Sequence, residues 1–162
     1  MRDNGGGHSG YELAGHFLRE RRLVNYKALR QPGGYEQFGA EQAFYVNPTT
    51  GPRFLGLLVV LTSDQTASAA EDLTISLARR PRTTLVGTAT KGMLSDMHSI
   101  RLPNGLDVTL SNQRYTTPDG QLLEDTGVQP TVAVKNTLAE LQQQRDAVLQ
   151  RALSEAQQLL KK

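Results

Sequence analysis

Val60-Leu61-Thr62-Ser63-Asp64-Gln65-Thr66-Ala67-Ser68-Ala69-Ala70-Glu71-Asp72-Leu73-Thr74-Ile75-Ser76-Leu77 changes character twice along its length. Leu55, Leu57, Leu58, Val59, Val60 and Leu61 form an almost continuous apolar run, the signature of a buried strand. Small and polar residues follow. Leu73, Ile75, Leu77 and Ala78 then return at a spacing that one side of a helix can bury. Ser68 thus stands where a strand has ended and a helix begins. A hydroxyl there lies near the positive end of the helix dipole, beside backbone N–H groups without intrahelical partners. Such N–H groups can stabilise an oxyanion, and Ala67, Ala69 and Ala70 leave room for a substrate backbone. Ser and Thr are also favoured N-caps, and the local sequence by itself favours that plainer role for Ser68 or Thr66.

Outward from this stretch, residues 82–87 read as a second short parallel strand, which makes a strand–helix–strand unit. Residues 97–102 and 106–115 flank Pro103-Asn104-Gly105, a hairpin signal. Leu106, Val108 and Leu110 alternate with polar residues, as a half-buried strand should. Residues 131–134 add one more strand. Residues 137–161 read as one long helix, opened by a Thr137/Glu140 capping box and striped by Leu138, Leu141, Val148, Leu149, Ala152 and Leu159. Upstream, residues 43–46 form an edge strand stopped by Asn47-Pro48. Residues 23–42 read as irregular, with a turn at Pro32-Gly33-Gly34, and residues 11–23 as a helix. Gly5-Gly6-Gly7 cannot be regular structure. It reads either as a loop that brings backbone N–H groups close to a ligand or as a flexible tail.

The 162 residues are enough for one domain with a core. Net charge is +2, from 18 basic and 16 acidic residues that are scattered, so nucleic acid is not implied. Arg79-Arg80-Pro81-Arg82 falls at a helix end, where cations suit the dipole. Cysteine is absent, which excludes disulfide and thiol chemistry. No apolar run is long enough for an integral membrane segment. No histidine pair has metal-ligand spacing, so no metal is expected.

Four motifs occur in one order: Arg2-Asp3-Asn4-Gly5-Gly6-Gly7; Thr66-Ala67-Ser68-Ala69-Ala70-Glu71; Thr84-Leu85-Val86-Gly87-Thr88-Ala89-Thr90-Lys91-Gly92; and Tyr115-Thr116-Thr117-Pro118-Asp119-Gly120 leading to Glu124-Asp125-Thr126-Gly127-Val128-Gln129-Pro130. The series resembles the C-terminal processing (tail-specific) serine protease family, which includes the tricorn core and retinoid-binding relatives. The resemblance implies an α/β domain of the crotonase-like (ClpP/crotonase-type) ββα kind, spanning residues 1–162 with residues 136–162 as its C-terminal helix. It further implies a serine peptidase acting on polypeptides without a cofactor, and the C-terminal portion of a longer, N-terminally truncated catalytic domain.

Carried onto this sequence, the resemblance makes Ser68 the nucleophile and gives oxyanion donors at Gly6 or Gly7 and at Ala69. A serine hydroxyl needs a base. One branch of the family uses a lysine at the position occupied here by Met93; Lys91 falls two residues early, so that branch is disfavoured. The tricorn-like branch uses an upstream histidine and a glutamate before Gly-Val-x-Pro, which Glu124 matches. The base is then expected outside this sequence, with Lys91 or His8, beside the glycine loop, as substitutes. His16 and His98 read as structural or solvated, and Glu71 as a helix-stabilising first-turn acid. The rival reading is a non-catalytic ligand- or peptide-binding module on the same fold. An acyl-CoA enzyme would need an adenine pocket that nothing here suggests. The family points to the cell envelope, and a homo-oligomer is left open.

Overall fold

The structure, a computed structural model, describes residues 9–161; Gly5, Gly6, Gly7 and His8 lie outside the described residues. In chain order the elements are α1 (Ser9–Gly15), β1 (Arg22–Leu29), β2 (Gln42–Val46), β3 (Leu58–Thr62), α2 (Ala69–Ala78), β4 (Thr83–Gly87), β5 (Met97–Arg101), β6 (Asp107–Ser111), β7 (Gln113–Thr116), β8 (Val132–Ala133), α3 (Leu138–Gln142) and α4 (Ala147–Leu160). The architecture is mixed α/β. The expected strand–helix–strand unit is present: β3 and β4 pair in parallel from Leu58↔Thr83 to Thr62↔Gly87, with α2 between them in sequence. The sheet order is β3-β4-β8, and a second, antiparallel sheet has the order β2-β1-β7.

α2 lies between the two sheets. Leu73, Ile75 and Leu77 share one core with Val60 and Leu85 of the parallel sheet and with Val24, Val46 and Tyr115 of the antiparallel one. Each such aliphatic side chain contributes about 1.5–3 kcal/mol on burial. Eight of the ten helix residues are buried, so polar ones must be satisfied internally. Thr74 and Ser76 donate back to Ala70 O (2.7 Å) and Asp72 O (2.6 Å). The helix ends before Pro81, which cannot continue it. There Arg80, 6% exposed, donates to six acceptors, among them Phe17 O (2.7 Å) and Gly56 O (2.5 Å). Across the parallel sheet, Val148 and Ala152 of α4 pack on Val86.

Four expectations need correction. The helix expected over residues 11–23 stops at Gly15, whose carbonyl accepts Thr49 N–H at 3.1 Å, and Arg22 already begins β1. The stretch read as irregular from residue 23 therefore holds an eight-residue strand paired on both sides. Its alternation is hidden by buried Asn25 and Lys27 and by a register shift between Leu23 and Asn25. The long C-terminal helix is two helices. The capping box at Thr137 is made, but Gln144 adopts φ 56° and Asp146 caps a new helix by accepting Leu149 N–H. In the hairpin, Leu106 and Leu110 are exposed rather than half-buried, and Tyr115 belongs to β7, in the antiparallel sheet.

Candidate active site

Four residues after Ser63 turns the chain out of β3, Ala67 leads into Ser68, which is solvent-exposed and directly precedes α2. Its backbone has φ 52° and ψ −126°, a conformation that costs a non-glycine residue on the order of 1–3 kcal/mol. Ser68 holds the N-cap position of α2, as its sequence suggests, and Glu71 three residues on closes a capping box by accepting Ser68 N–H at 3.2 Å. Thr66 is fully buried, and its hydroxyl accepts Ser63 N–H at 3.1 Å. Of the first three amides of α2, Ala70 N–H donates to Ala67 O and Glu71 N–H to Ser68 O, while Ala69 N–H has no acceptor among the described residues.

The strained turn is held by Glu71, 0% exposed. Its carboxylate accepts from Thr90 Oγ1 (2.6 Å), Gly92 N (2.7 Å), Met93 N (2.9 Å) and Ser68 N (3.2 Å). The sequence suggested a first-turn acid serving the helix dipole. The structure gives a buried charge joined to a second loop, because four donors are what make its burial tolerable. Its place three residues after Ser68 was the available signal; Thr90 carried none.

The 91–95 segment runs beside the turn. Lys91 N–H donates to Thr66 O (2.8 Å) and Ser68 N–H to Met93 O (2.9 Å). Leu94 N–H (3.4 Å) and Ser95 N–H (3.2 Å) then donate to Glu124 Oε2. Ser68 and Glu124 are therefore tied to the same short segment from opposite ends. Burial pushes the Glu124 carboxyl above its ordinary range, against the opposing pull of those two N–H bonds. The Glu124 loop fits by backbone contact: a Cβ on Gly127, at φ 64°, would lie 2.1 Å from Thr90 O.

The remaining candidates stand apart. His16 Nδ1 bonds Pro52 O at 2.9 Å, and His98 is exposed on β5. The Lys91 side chain is exposed and its charge bears on Asp64. Ser68 makes no side-chain hydrogen bond to a histidine or lysine among the described residues. The described residues hold no His/Asp/Glu group that could bind a metal ion, and no helix long and apolar enough to cross a membrane. Gly6, Gly7 and His8 are not described, but the chain reaches α1 from them at a telling place. A Cβ on Gly10 would lie 2.2 Å from Ala69 O, so α1 meets α2 backbone to backbone beside Ser68.

The model of Peptidase family S41 matches residues 1–134. The chain belongs to this family. Among relatives, Carboxyl-terminal-processing peptidase 1, chloroplastic, of Arabidopsis thaliana is 30% identical over 134 residues, covering 80% of this chain and 25% of that protein. The carboxyl-terminal-processing protease of Synechocystis sp. is 32% identical over 163 residues, covering 94% of this chain and 35% of that protein. This S41 chain thus spans about a quarter to a third of the length of those relatives. A solved structure from Parabacteroides merdae, assigned to the peptidases, superposes with a TM-score of 0.86 at 29% identity, over 95% of this chain and 49% of that one.

Proposed function

We propose that this S41 domain hydrolyses peptide bonds of polypeptides, with Ser68 as nucleophile. The observation that carries the reading is the exposed Ser68 on a strained turn at the start of α2, with Ala69 N–H beside it lacking an acceptor among the described residues. Ser68 Oγ attacks the scissile carbonyl and loses its proton to a base. Ala69 N–H and an amide of Gly6 or Gly7 take the oxyanion. Gly10 packed on Ala69 supports that pairing, since the glycines lie only three and four residues upstream of it. The base returns the proton to the leaving amine, and water then releases the acyl group from Ser68.

Glu124 orients the serine–base system, as the third member of a triad does. The base is a group beyond the described residues, His8 being one candidate in this chain. Lys91 is the weaker alternative, because its side chain is exposed and makes no hydrogen bond to Ser68 among the described residues. The fold is of the crotonase-like ββα kind, the domain being the C-terminal portion of a larger catalytic unit. The location proposed is the cell envelope, outside the cytoplasm; of the two relatives, the one from Arabidopsis thaliana is named as chloroplastic.

Fluorophosphonate labelling with peptide mapping tests the assignment. Label is expected on Ser68 and lost in Ser68→Ala, at a slow rate in this chain if the base lies outside it. Label on another serine, or none even under forcing reagent concentration, would leave the non-catalytic binding module as the better reading.

A further inference from the structure

Lys27 is buried, at 8% exposure, in the middle of β1. Its Nζ lies 4.4 Å from the ring centroids of Phe44 and Tyr115 and 5.5 Å from that of Tyr11. Asp96 Oδ2 stands 3.9 Å away. Burying an ammonium is costly, and an apolar side chain of similar volume would fill the space at less expense. Ring faces and one carboxylate offset that cost. The charge therefore invites an account of what it holds.

Its neighbours lead to each part of the proposed site. Tyr11 follows Gly10, which packs on Ala69, and its hydroxyl donates to Asp72 Oδ1 of α2 at 2.6 Å while accepting Asn25 Nδ2–H at 3.0 Å. Asp96 follows Ser95, whose N–H donates to Glu124. The titratable groups around the ammonium are Tyr11, Asp72, Asp96 and Tyr115, with Glu71 and Glu124 beyond them. All are acids. Of these, Asp96 pairs with Lys27 and Asp72 feels its charge.

We propose that Lys27 is a positioning residue for hydrolysis: its ammonium, held among the Tyr11, Phe44 and Tyr115 rings and paired with Asp96, fixes α1 and the 93–96 segment against the amino end of α2. The role rests on the reading of Ser68 and Glu124 given above. Lys27 touches no substrate. It acts by keeping Met93 O on Ser68 N–H and the Leu94 and Ser95 amides on Glu124.

The test compares Lys27→Met, which keeps the chain length, with Lys27→Arg, which keeps the charge. Phosphonylation of Ser68 is followed as a maximal rate and a half-saturating reagent concentration, and the Glu124 carboxyl is titrated by carbon-13 NMR. In Lys27→Met the maximal rate falls by about tenfold or more with half-saturation unchanged. The Glu124 midpoint moves up, because the two N–H bonds that hold it down are loosened. Lys27→Arg restores both. A maximal rate within about twofold of the parent, on the same principle of positioning, together with an unmoved Glu124 midpoint, would overturn the proposal. If Ser68 does not react in the parent chain, the peptidase reading fails on its own and the Glu124 midpoint still decides the role of Lys27. If Lys27→Met does not fold, Asp96→Asn, at an exposed carboxylate, takes its place. Faster hydrogen exchange at the Leu94 and Ser95 amides is then expected, and unchanged exchange refutes the clamp.

Discussion

The Glu71 carboxylate accepts the Thr90 hydroxyl at 2.6 Å, and that hydroxyl in turn accepts Val128 N–H at 2.7 Å. One relay thus runs from the first turn of α2, through the 90–93 loop, to the loop after Glu124. Glu71→Gln places an amide N–H against donors that need an acceptor. It is expected to cost about 2–4 kcal/mol of unfolding free energy, read as a shift of the urea midpoint at constant slope. A loss below about 1 kcal/mol would mean that the relay is not what holds the turn.

Strain at Ser68 makes a prediction of opposite sign. Ser68→Gly adopts φ 52° freely and is expected to gain about 1 kcal/mol over the parent, while Ser68→Ala keeps the strain and gains nothing. Both lose fluorophosphonate labelling. Thermal melts of the pair decide: a Gly variant less stable than the Ala variant would show that the backbone there is relaxed. Stability surrendered at the proposed nucleophile would be the usual trade between activity and folding.

Glu124 gives a pH dependence. Its folded carboxyl titrates above the ordinary value of 4.5, chiefly through burial. A group raised in this way contributes stability that is complete below its unfolded pKa and lost as pH rises through its folded one. Glu124→Gln removes that loss. The stability of the variant relative to the parent should therefore improve between acid and neutral pH, by chemical denaturation at a series of pH values. A variant whose stability relative to the parent falls as pH rises would contradict the sign.

Gly10→Ala tests the approach of α1 to α2. The new methyl meets Ala69 O, a backbone atom that cannot swing aside, so α1 must shift. A cost of about 1–3 kcal/mol is expected, with a slower Ser68 labelling rate. Parent-like labelling in a destabilised variant would separate α1 from the chemistry.

How much of this was legible beforehand depended on whether the causes were local. The apolar run before Ser68 and the helical spacing after it gave β3, α2 and the turn between them, since strand and helix burial leave different periods. Pro103-Asn104-Gly105 gave the hairpin for the same reason. β1 escaped because Asn25 and Lys27 occupy inward positions where a strand pattern expects apolar residues, and their partners Tyr11, Phe44 and Asp96 are distant in sequence. The break between α3 and α4 escaped because Gln144 has no intrinsic preference for a left-handed backbone. At the candidate site, Ser68 and Glu124 were proposed from their motifs, and the structure ties both to residues 93–95. The work of Glu71 was not legible, because its donors at residues 90, 92 and 93 come together only through tertiary structure.

α2 is enclosed by two sheets whose final strands, β7 and β8, come from the last third of the chain. A ten-residue helix so short of independent stability has no reason to persist alone. During synthesis, then, the turn at Ser68 cannot take its final form until translation has passed Val132 and Ala133, the strand that completes the parallel sheet.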